Sequence, residues 1–201
     1  MKEISENSKK RLLILSRLLS QQTQTRLTSL KIAELTGWSD TTIRKDLSLL
    51  GLHFGVSNGY DVKSLKQGID SALGFNPPLI KQNVCIVGLS EIGQALLNPI
   101  FFEKTPFSLV AGFDTNQNRL DLIKTKIPLF PTLDLETKIR QLNINFALLA
   151  VADEKAQFMA ERLVNYGIKA IINYTNTVLS LPKNIKLTNA SPSALLSKIA
   201  F

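Results

Sequence analysis

Between residues 8 and 20, Leu12, Leu15, Leu18 and Leu19 recur at helical spacing, with Lys9, Lys10, Arg11 and Arg17 between them. That pattern predicts an amphipathic helix. A second short helix carries Leu30, Ile32, Ala33 and Leu35, with Ser29 as its expected cap and Gly37 as its breaker. Trp38 falls in the turn and is expected to pack rather than to touch a ligand. Ser39 is the N-cap candidate of a third helix that runs to about Leu50, with Asp40 in its first turn. Its apolar stripe is Ile43, Leu47 and Leu50, and its other face carries Thr41, Thr42, Arg44, Lys45 and Ser48. Asn58-Gly59 is a hairpin turn signal within Leu52–Val62, and residues 63–74 predict a further helix through Leu65, Ile69 and Leu73. His53 reads as an ordinary hairpin residue.

After Phe75-Asn76-Pro77-Pro78, read as a rigid linker, the pattern changes. Val84-Cys85-Ile86-Val87 is a continuous apolar run, as expected for a strand buried on both faces of a parallel sheet. Strands are expected also at 109–113, 129–130, 146–151, 168–172 and 185–187. Helices are expected at 133–142 and 153–166, the latter with Phe158, Met159 and Leu163 inward. Ser191 is placed to cap a last helix carrying Leu195, Leu196 and Ile199. The fold class is α/β: an N-terminal winged helix-turn-helix domain (1–80) plus a C-terminal Rossmann-like doubly wound parallel-sheet domain (81–201).

Composition narrows the chemistry. The 201 residues carry 24 Lys+Arg against 16 Asp+Glu, a formal net charge of +8. Residues 1–50 hold nine of the cations and five of the acids, so the excess is densest at the N-terminus. An anionic partner is therefore worth seeking. One Cys excludes an internal disulfide, and one His excludes a His-pair metal site and makes a Ser-His-Asp triad improbable. Metal ligands and catalytic residues are not expected. Cys85, inside the apolar run, reads as an inert core residue. No apolar run approaches the length of a membrane span, and the N-terminus is too polar for a signal peptide, so a cytoplasmic protein is expected.

Helix, Gly-containing turn and a helix exposing small hydroxyls and cations form a helix-turn-helix pattern. Short Thr and Ser side chains permit close approach to DNA, Arg44 can bind guanine bidentately or clamp a phosphate, and Lys45 acts as a point charge. Asp46 is expected to point away from DNA or to bond Arg44. A plain helical bundle with a polar surface would show the same periodicity. Candidate DNA contacts are Ser39, Thr41, Thr42, Arg44, Lys45, Ser48 and, in the wing, Asn58 and Tyr60.

Gly88-Leu89-Ser90-Glu91-Ile92-Gly93 lies between the first buried strand and a helix, and Asp114 ends the next strand 21 residues after Gly93. Strand, Gly-rich turn, helix, strand and acid make the dinucleotide fingerprint. Gly88 allows the tight turn, Gly93 close packing of helix on strand, and Asp114 would accept from the adenosine ribose while disfavouring the extra phosphate of NADP. The middle glycine is replaced by Ser90, and Glu91 stands beside the phosphate path. Nucleotide binding and a Rossmann fold that has lost its ligand both remain open on this motif. Candidate cofactor contacts are Gly88, Leu89, Ser90, Glu91, Ile92, Gly93, Asp114, Thr115 and Arg119, with Val151, Ala152, Asn173 and Tyr174 at later strand ends.

The whole chain resembles the Rex family of redox-sensing transcriptional repressors. The most specific stretch is Arg44-Lys45-Asp46-Leu47-Ser48, supported by Gly59-Tyr60, Gly112-Phe113-Asp114, Leu149-Ala150-Val151 and Gly167–Asn173. The resemblance implies a homodimer on palindromic double-stranded operator DNA, with NADH/NAD as effector and a C-terminal helix exchanged between subunits. It implies that NADH favours a closed dimer that releases the operator, and that the protein is not an enzyme. The chain departs from the family at Ser90, at Pro99, where a Tyr is common, and at Asn189-Ala190-Ser191-Pro192, where an Asp and an aromatic are lost. A regulator that has lost or altered NADH sensing is the alternative. An NAD-dependent oxidoreductase is disfavoured, because the only His lies in the wing.

Overall fold

The computed structural model describes residues 4–50, 59–73, 81–103 and 105–200. The chain divides into two compact units, Met1–Leu79 and Ile80–Phe201.

The first unit is built on helix α1 (Glu6–Ser20), which buries Leu12, Leu15 and Leu19. The Ser5 hydroxyl caps it by accepting from the Ser8 amide. A two-residue strand β1 (Arg26–Leu27) leads into α2 (Ser29–Thr36). The cap of α2 is Thr28, not Ser29: Thr28 Oγ1 accepts from the Lys31 amide at 3.1 Å, while Ser29 is itself helical and buried. Gly37 ends α2 at φ 72°, a left-handed conformation open to glycine without strain.

Helix α3 (Asp40–Ser48) is capped by Ser39 as its sequence predicts, and Ile43 and Leu47 form its buried stripe. Strand β2 (Tyr60–Asp61) pairs antiparallel with β1, an element with no periodic signal of its own. The first arm of the expected hairpin, with His53 and Asn58, lies outside the described residues, as does the linker at 75–78. Gly59, at φ 85°, sits so close to β1 that a Cβ would lie 2.8 Å from the Leu27 carbonyl oxygen. Helix α4 (Val62–Ala72) returns Leu65 and Ile69 to the core against α1. The Asp70 carboxylate accepts from Ser16 Oγ of α1 and pairs with Lys66 on α4. Trp38 packs on this same core.

The second unit is a six-stranded, all-parallel sheet with helices in every crossover but the last. The strands are β3 (Gln82–Val87), β4 (Phe107–Asp114), β5 (Leu129–Pro131), β6 (Ile144–Leu149), β7 (Ala170–Asn173) and β8 (Lys186–Asn189), in the order β5-β4-β3-β6-β7-β8. The direction of winding reverses between β3 and β6, which is the switch point of a doubly wound fold. One core layer lies around Val87, Phe113, Leu149, Leu163 and Ile171, and another around Val84, Ile86, Leu89 and Leu148. Cys85 is fully buried between strands.

The helices here are α5 (Glu91–Leu96), α6 (Gln117–Leu122), α7 (Leu135–Gln141), α8 (Asp153–Asn165) and α9 (Pro192–Ala200). Helix α6 went unpredicted because six residues are too few to show a period. In α8 the buried stripe is Ala156, Met159, Ala160 and Leu163. Phe158 does not face inward, contrary to expectation. It is 62% exposed beside Arg162, because one residue back from Met159 is a rotation of about 100° around the helix. Ser191 Oγ caps α9 by accepting from the Ala194 amide, and Leu195, Leu196 and Ile199 lie exposed on that helix.

Candidate functional site

The recognition face of α3 forms because its apolar residues repeat every fourth position and leave the intervening ones outward. Thr41, Arg44, Lys45 and Ser48 are exposed, as is the cap Ser39. Thr42 is half-buried, and its hydroxyl lies 2.8 Å from Ser39 Oγ, so it supports the cap. Ser48 Oγ donates to the Lys45 carbonyl. Arg44 Nε pairs with Asp40 Oδ2 at 2.8 Å, which orients the guanidinium along the helix surface.

Asp46 does not bond Arg44. It is buried, and its carboxylate accepts from Ser8 Oγ at 2.8 Å and from Arg11 Nε and Nη2 at 2.5 and 2.9 Å. One turn of α1 thus grips the centre of α3, a contact across 35 residues that no local pattern reveals. Tyr60, half-buried, packs on the core of this unit from β2. Asn58 lies outside the described residues.

In the second unit the Gly88 turn sits at the switch point. Gly88 has φ 91°, and a Cβ there would stand 2.4 Å from the Ala150 carbonyl oxygen. A Cβ on Gly93 would stand 1.8 Å from the Gly88 carbonyl oxygen. Only glycine fits either place, so β3, the turn and α5 close up as a dinucleotide cradle requires. Ser90 has φ −69°, a conformation any residue adopts, and its side chain makes no cap hydrogen bond. The backbone therefore keeps its shape with serine in the middle position. Glu91 and Ile92 are exposed at the start of α5. The cradle fits a dinucleotide pyrophosphate at its two obligatory glycines.

Asp114 is placed differently from the simple ribose acceptor of the fingerprint. It is 3% exposed. Its Oδ2 accepts from the Leu89 amide at 2.7 Å, its Oδ1 from the Asn116 amide at 2.8 Å, and Arg119 Nη1 bridges both oxygens at 3.0 and 2.9 Å. Burial pushes the carboxyl up, but the amides of Asn116 and Leu89 and the Arg119 guanidinium outweigh it and hold it below the ordinary range. Leu89 is buried, and Thr115 is exposed at the turn into α6.

Across the switch point, Val151 is half-buried and Ala152 exposed, at the N-terminus of α8. Asn173 is fully buried. Its amide donates to the Thr177 carbonyl and Asn189 Oδ1, and its oxygen accepts from the Thr175 amide and hydroxyl. It braces the loop after β7 rather than offering a free polar group. Tyr174 is half-buried against the layer around Leu89, and burial raises its phenol above its ordinary value. Sequence reasoning missed Asn116, Asn118, Lys124 and Lys126. Together with Arg119, these line a groove of about 960 Å³ between α5 and α6. Among the described residues no His/Cys/Asp/Glu cluster suited to a metal occurs, and no helix is long and apolar enough to cross a membrane.

Comparison with known proteins agrees with both units. A family model described as "Putative DNA-binding protein N-terminus" matches residues 3–48, and one described as "CoA binding domain" matches residues 80–177. The redox-sensing transcriptional repressor Rex of Limosilactobacillus reuteri is 33% identical over 195 residues, covering 94% of this chain and 88% of the relative. Rex of Clostridium botulinum is 33% identical over 164 residues, covering 82% and 77%. Among solved structures, RSP in complex with β-NAD+ and operator DNA aligns with TM-score 0.82 and 28% identity, covering 100% of this chain and 92% of that one. RSP in complex with β-NADH aligns with TM-score 0.79 and 30% identity, covering 100% and 94%. The chain belongs to the Rex family of redox-sensing transcriptional repressors.

Proposed function

We propose that this chain is a cytoplasmic, homodimeric repressor, not an enzyme, which binds palindromic operator DNA and releases it when NADH binds. The observation that carries the reading is the coexistence of two intact devices in one Rex-family chain. Helix α3 presents Arg44 and Lys45 outward, and the β3–α5 turn keeps glycine at the two positions where a Cβ would collide with backbone. Arg44, Lys45, Thr41 and Ser48 contact the operator, with Ser39 and Thr42 shaping the start of the helix. The Gly88–Gly93 turn receives the pyrophosphate, and Val151, Ala152 and Tyr174 line the far side. The effector acts by its difference in affinity between the open and closed dimer and by nothing else. Two recognition helices of a dimer meet half-sites about 34–36 Å apart, or a multiple of that.

The test is a salt-controlled gel shift on an operator selected from a random duplex library. NADH is expected to release the DNA and NAD+ to leave it bound. A second reading, a repressor deaf to NADH, is favoured by Ser191, which is buried and committed to capping α9. Specific operator binding unchanged by saturating NADH would establish that second reading. Absence of any sequence preference would defeat both.

A further inference from the structure

Residues 81–201 carry thirteen Lys+Arg against nine Asp+Glu, and operator binding by α3 uses none of these cations. Three of them meet in one place. Arg119, Lys124 and Lys126 line the groove of about 960 Å³ between α5 and α6, and no carboxylate lines it. Both lysines are exposed, and neither has an ion pair among the described residues. Arg119 spends only Nη1 on Asp114, so the rest of its guanidinium is available. The groove includes no residue of the Gly88–Gly93 turn, so it is separate from the dinucleotide cradle.

The uncharged polar side chains of the wall point to the same kind of ligand. Asn98 Oδ1 accepts from the Ile100 amide, Asn116 Oδ1 from the Arg119 amide and Thr125 Oγ1 from the Ile127 amide, each at 3.1 Å. Backbone thus engages all three oxygens. What remains is two side-chain NH2 groups and a hydroxyl hydrogen, all donors. Leu97 and Ile123 lie beside them, and apolar walls around charges of one sign concentrate their field. A single carboxylate offers about four acceptor sites, fewer than the donors gathered here. Linked phosphates carry about three strong acceptor oxygens on each terminal group and match the groove in both number and sign.

We infer that this groove binds a small phosphate-rich anion, either inorganic pyrophosphate or the phosphate chain of a nucleoside triphosphate. Lys124 and Lys126 supply point charges, and Arg119, Asn98, Asn116 and Thr125 supply directional donors. The site stands whether or not the Gly88–Gly93 turn binds NADH.

The test is calorimetry of the full chain with inorganic pyrophosphate and with ATP, both free of magnesium, at about 0.15 M salt so that diffuse surface charge is screened. Saturable one-to-one binding is expected. The double variant Lys124→Ala/Lys126→Ala is expected to lose about ten-fold or more in affinity. The control Lys183→Ala/Lys186→Ala removes two exposed lysines outside the groove and is expected to stay within about two-fold. An unchanged melting temperature shows that each variant folds; if the double variant does not, Lys124→Gln and Lys126→Gln are read singly in the same way. ATP binding about three-fold or more tighter than pyrophosphate assigns the groove to a nucleotide, and equal or weaker ATP binding assigns it to the free anion. Absence of saturable binding by either probe overturns the inference, and so do equal affinities in the groove variant and the control. Displacement of bound pyrophosphate by saturating NADH would put the anion in the Gly88–Gly93 turn and overturn it too, while leaving the dinucleotide reading intact.

Discussion

Arg11 on α1 holds Asp46 at the centre of α3 through two hydrogen bonds of 2.5 and 2.9 Å, and Ser8 adds a third contact at 2.8 Å. The carboxylate is buried and the guanidinium about 29% exposed. Removing one partner leaves a charge without its counter-ion in a place water reaches poorly. Asp46→Ala is expected to cost the first unit about 3 kcal/mol, and Arg11→Met/Asp46→Leu distinctly less, because the pair is then replaced by apolar packing. Denaturant unfolding of the three proteins measures this. Equal losses for single and double variants would show that the contact contributes nothing specific.

Arg44 and Asp40 pair on the exposed face of α3, at 2.8 Å. For Arg44 to reach a base or phosphate, that pair must open. Arg44→Ala is expected to weaken specific operator binding by about 1–3 kcal/mol. Asp40→Asn removes a negative charge from the same face, so non-specific DNA binding should tighten, with no loss of sheet-unit stability. Gel shifts at two salt concentrations separate these effects. Unchanged operator affinity for Arg44→Ala would take Arg44 out of the interface.

Much of this was legible in the chain. The leucines of α1, the Ser39 cap, the buried run around Cys85 and the spacing from Gly93 to Asp114 each leave a local mark, because period, cap and turn are set by neighbours in sequence. What stayed hidden is set by distance in sequence. β1 is two residues long and exists because β2 pairs with it. Asp46 is expected from sequence to point away from DNA or to bond Arg44, and its partner Arg11 lies 35 positions earlier. Asp114 read as a ribose acceptor because its position in the fingerprint is right; that the Leu89 amide and Arg119 occupy it depends on how the β3 turn folds over β4. Phe158 was misplaced because a hydrophobic side chain next to Met159 was counted into a stripe it does not belong to.

Cys85 is fully buried in β3, and burial pushes its thiol up to about 12. The thiolate is the reactive form, so the native protein should not react with a thiol reagent at pH 8. Full labelling is expected only after unfolding in denaturant. Rapid labelling of the folded protein would contradict the buried placement and would open a thiol route to redox response.

Asp114 makes the stability of the sheet unit sensitive to acid. Its folded-state carboxyl lies below the ordinary value of 3.8, so its contribution is present above that value and is lost as the pH falls through the folded value. Stability should therefore decline at acid pH more steeply in the wild type than in Asp114→Asn. Thermal melts between pH 2.5 and 6, about the range in which carboxylates titrate, measure the two slopes. Parallel curves would show that Arg119 and the two amides do not favour the charged form.

The β3–α5 turn separates two kinds of glycine position. Gly93→Ala puts a methyl 1.8 Å from the Gly88 carbonyl oxygen, where backbone on both sides must shift. About 2–3 kcal/mol of destabilisation is expected, together with loss of dinucleotide binding. Ser90, at φ −69°, needs no glycine. Ser90→Gly therefore gains no conformational relief and adds unfolded-chain entropy, a loss of up to about 1 kcal/mol. If the serine side chain impedes the pyrophosphate, the same substitution also tightens NADH binding; if its hydroxyl serves as a donor to a phosphate oxygen, NADH binding weakens. Because the stability change is small either way, the sign of the affinity change measured by NADH titration reports the role of Ser90 alone. A Gly93→Ala protein that melts like the wild type and still binds NADH would mean that α5 packs on β3 less closely than the 1.8 Å approach requires.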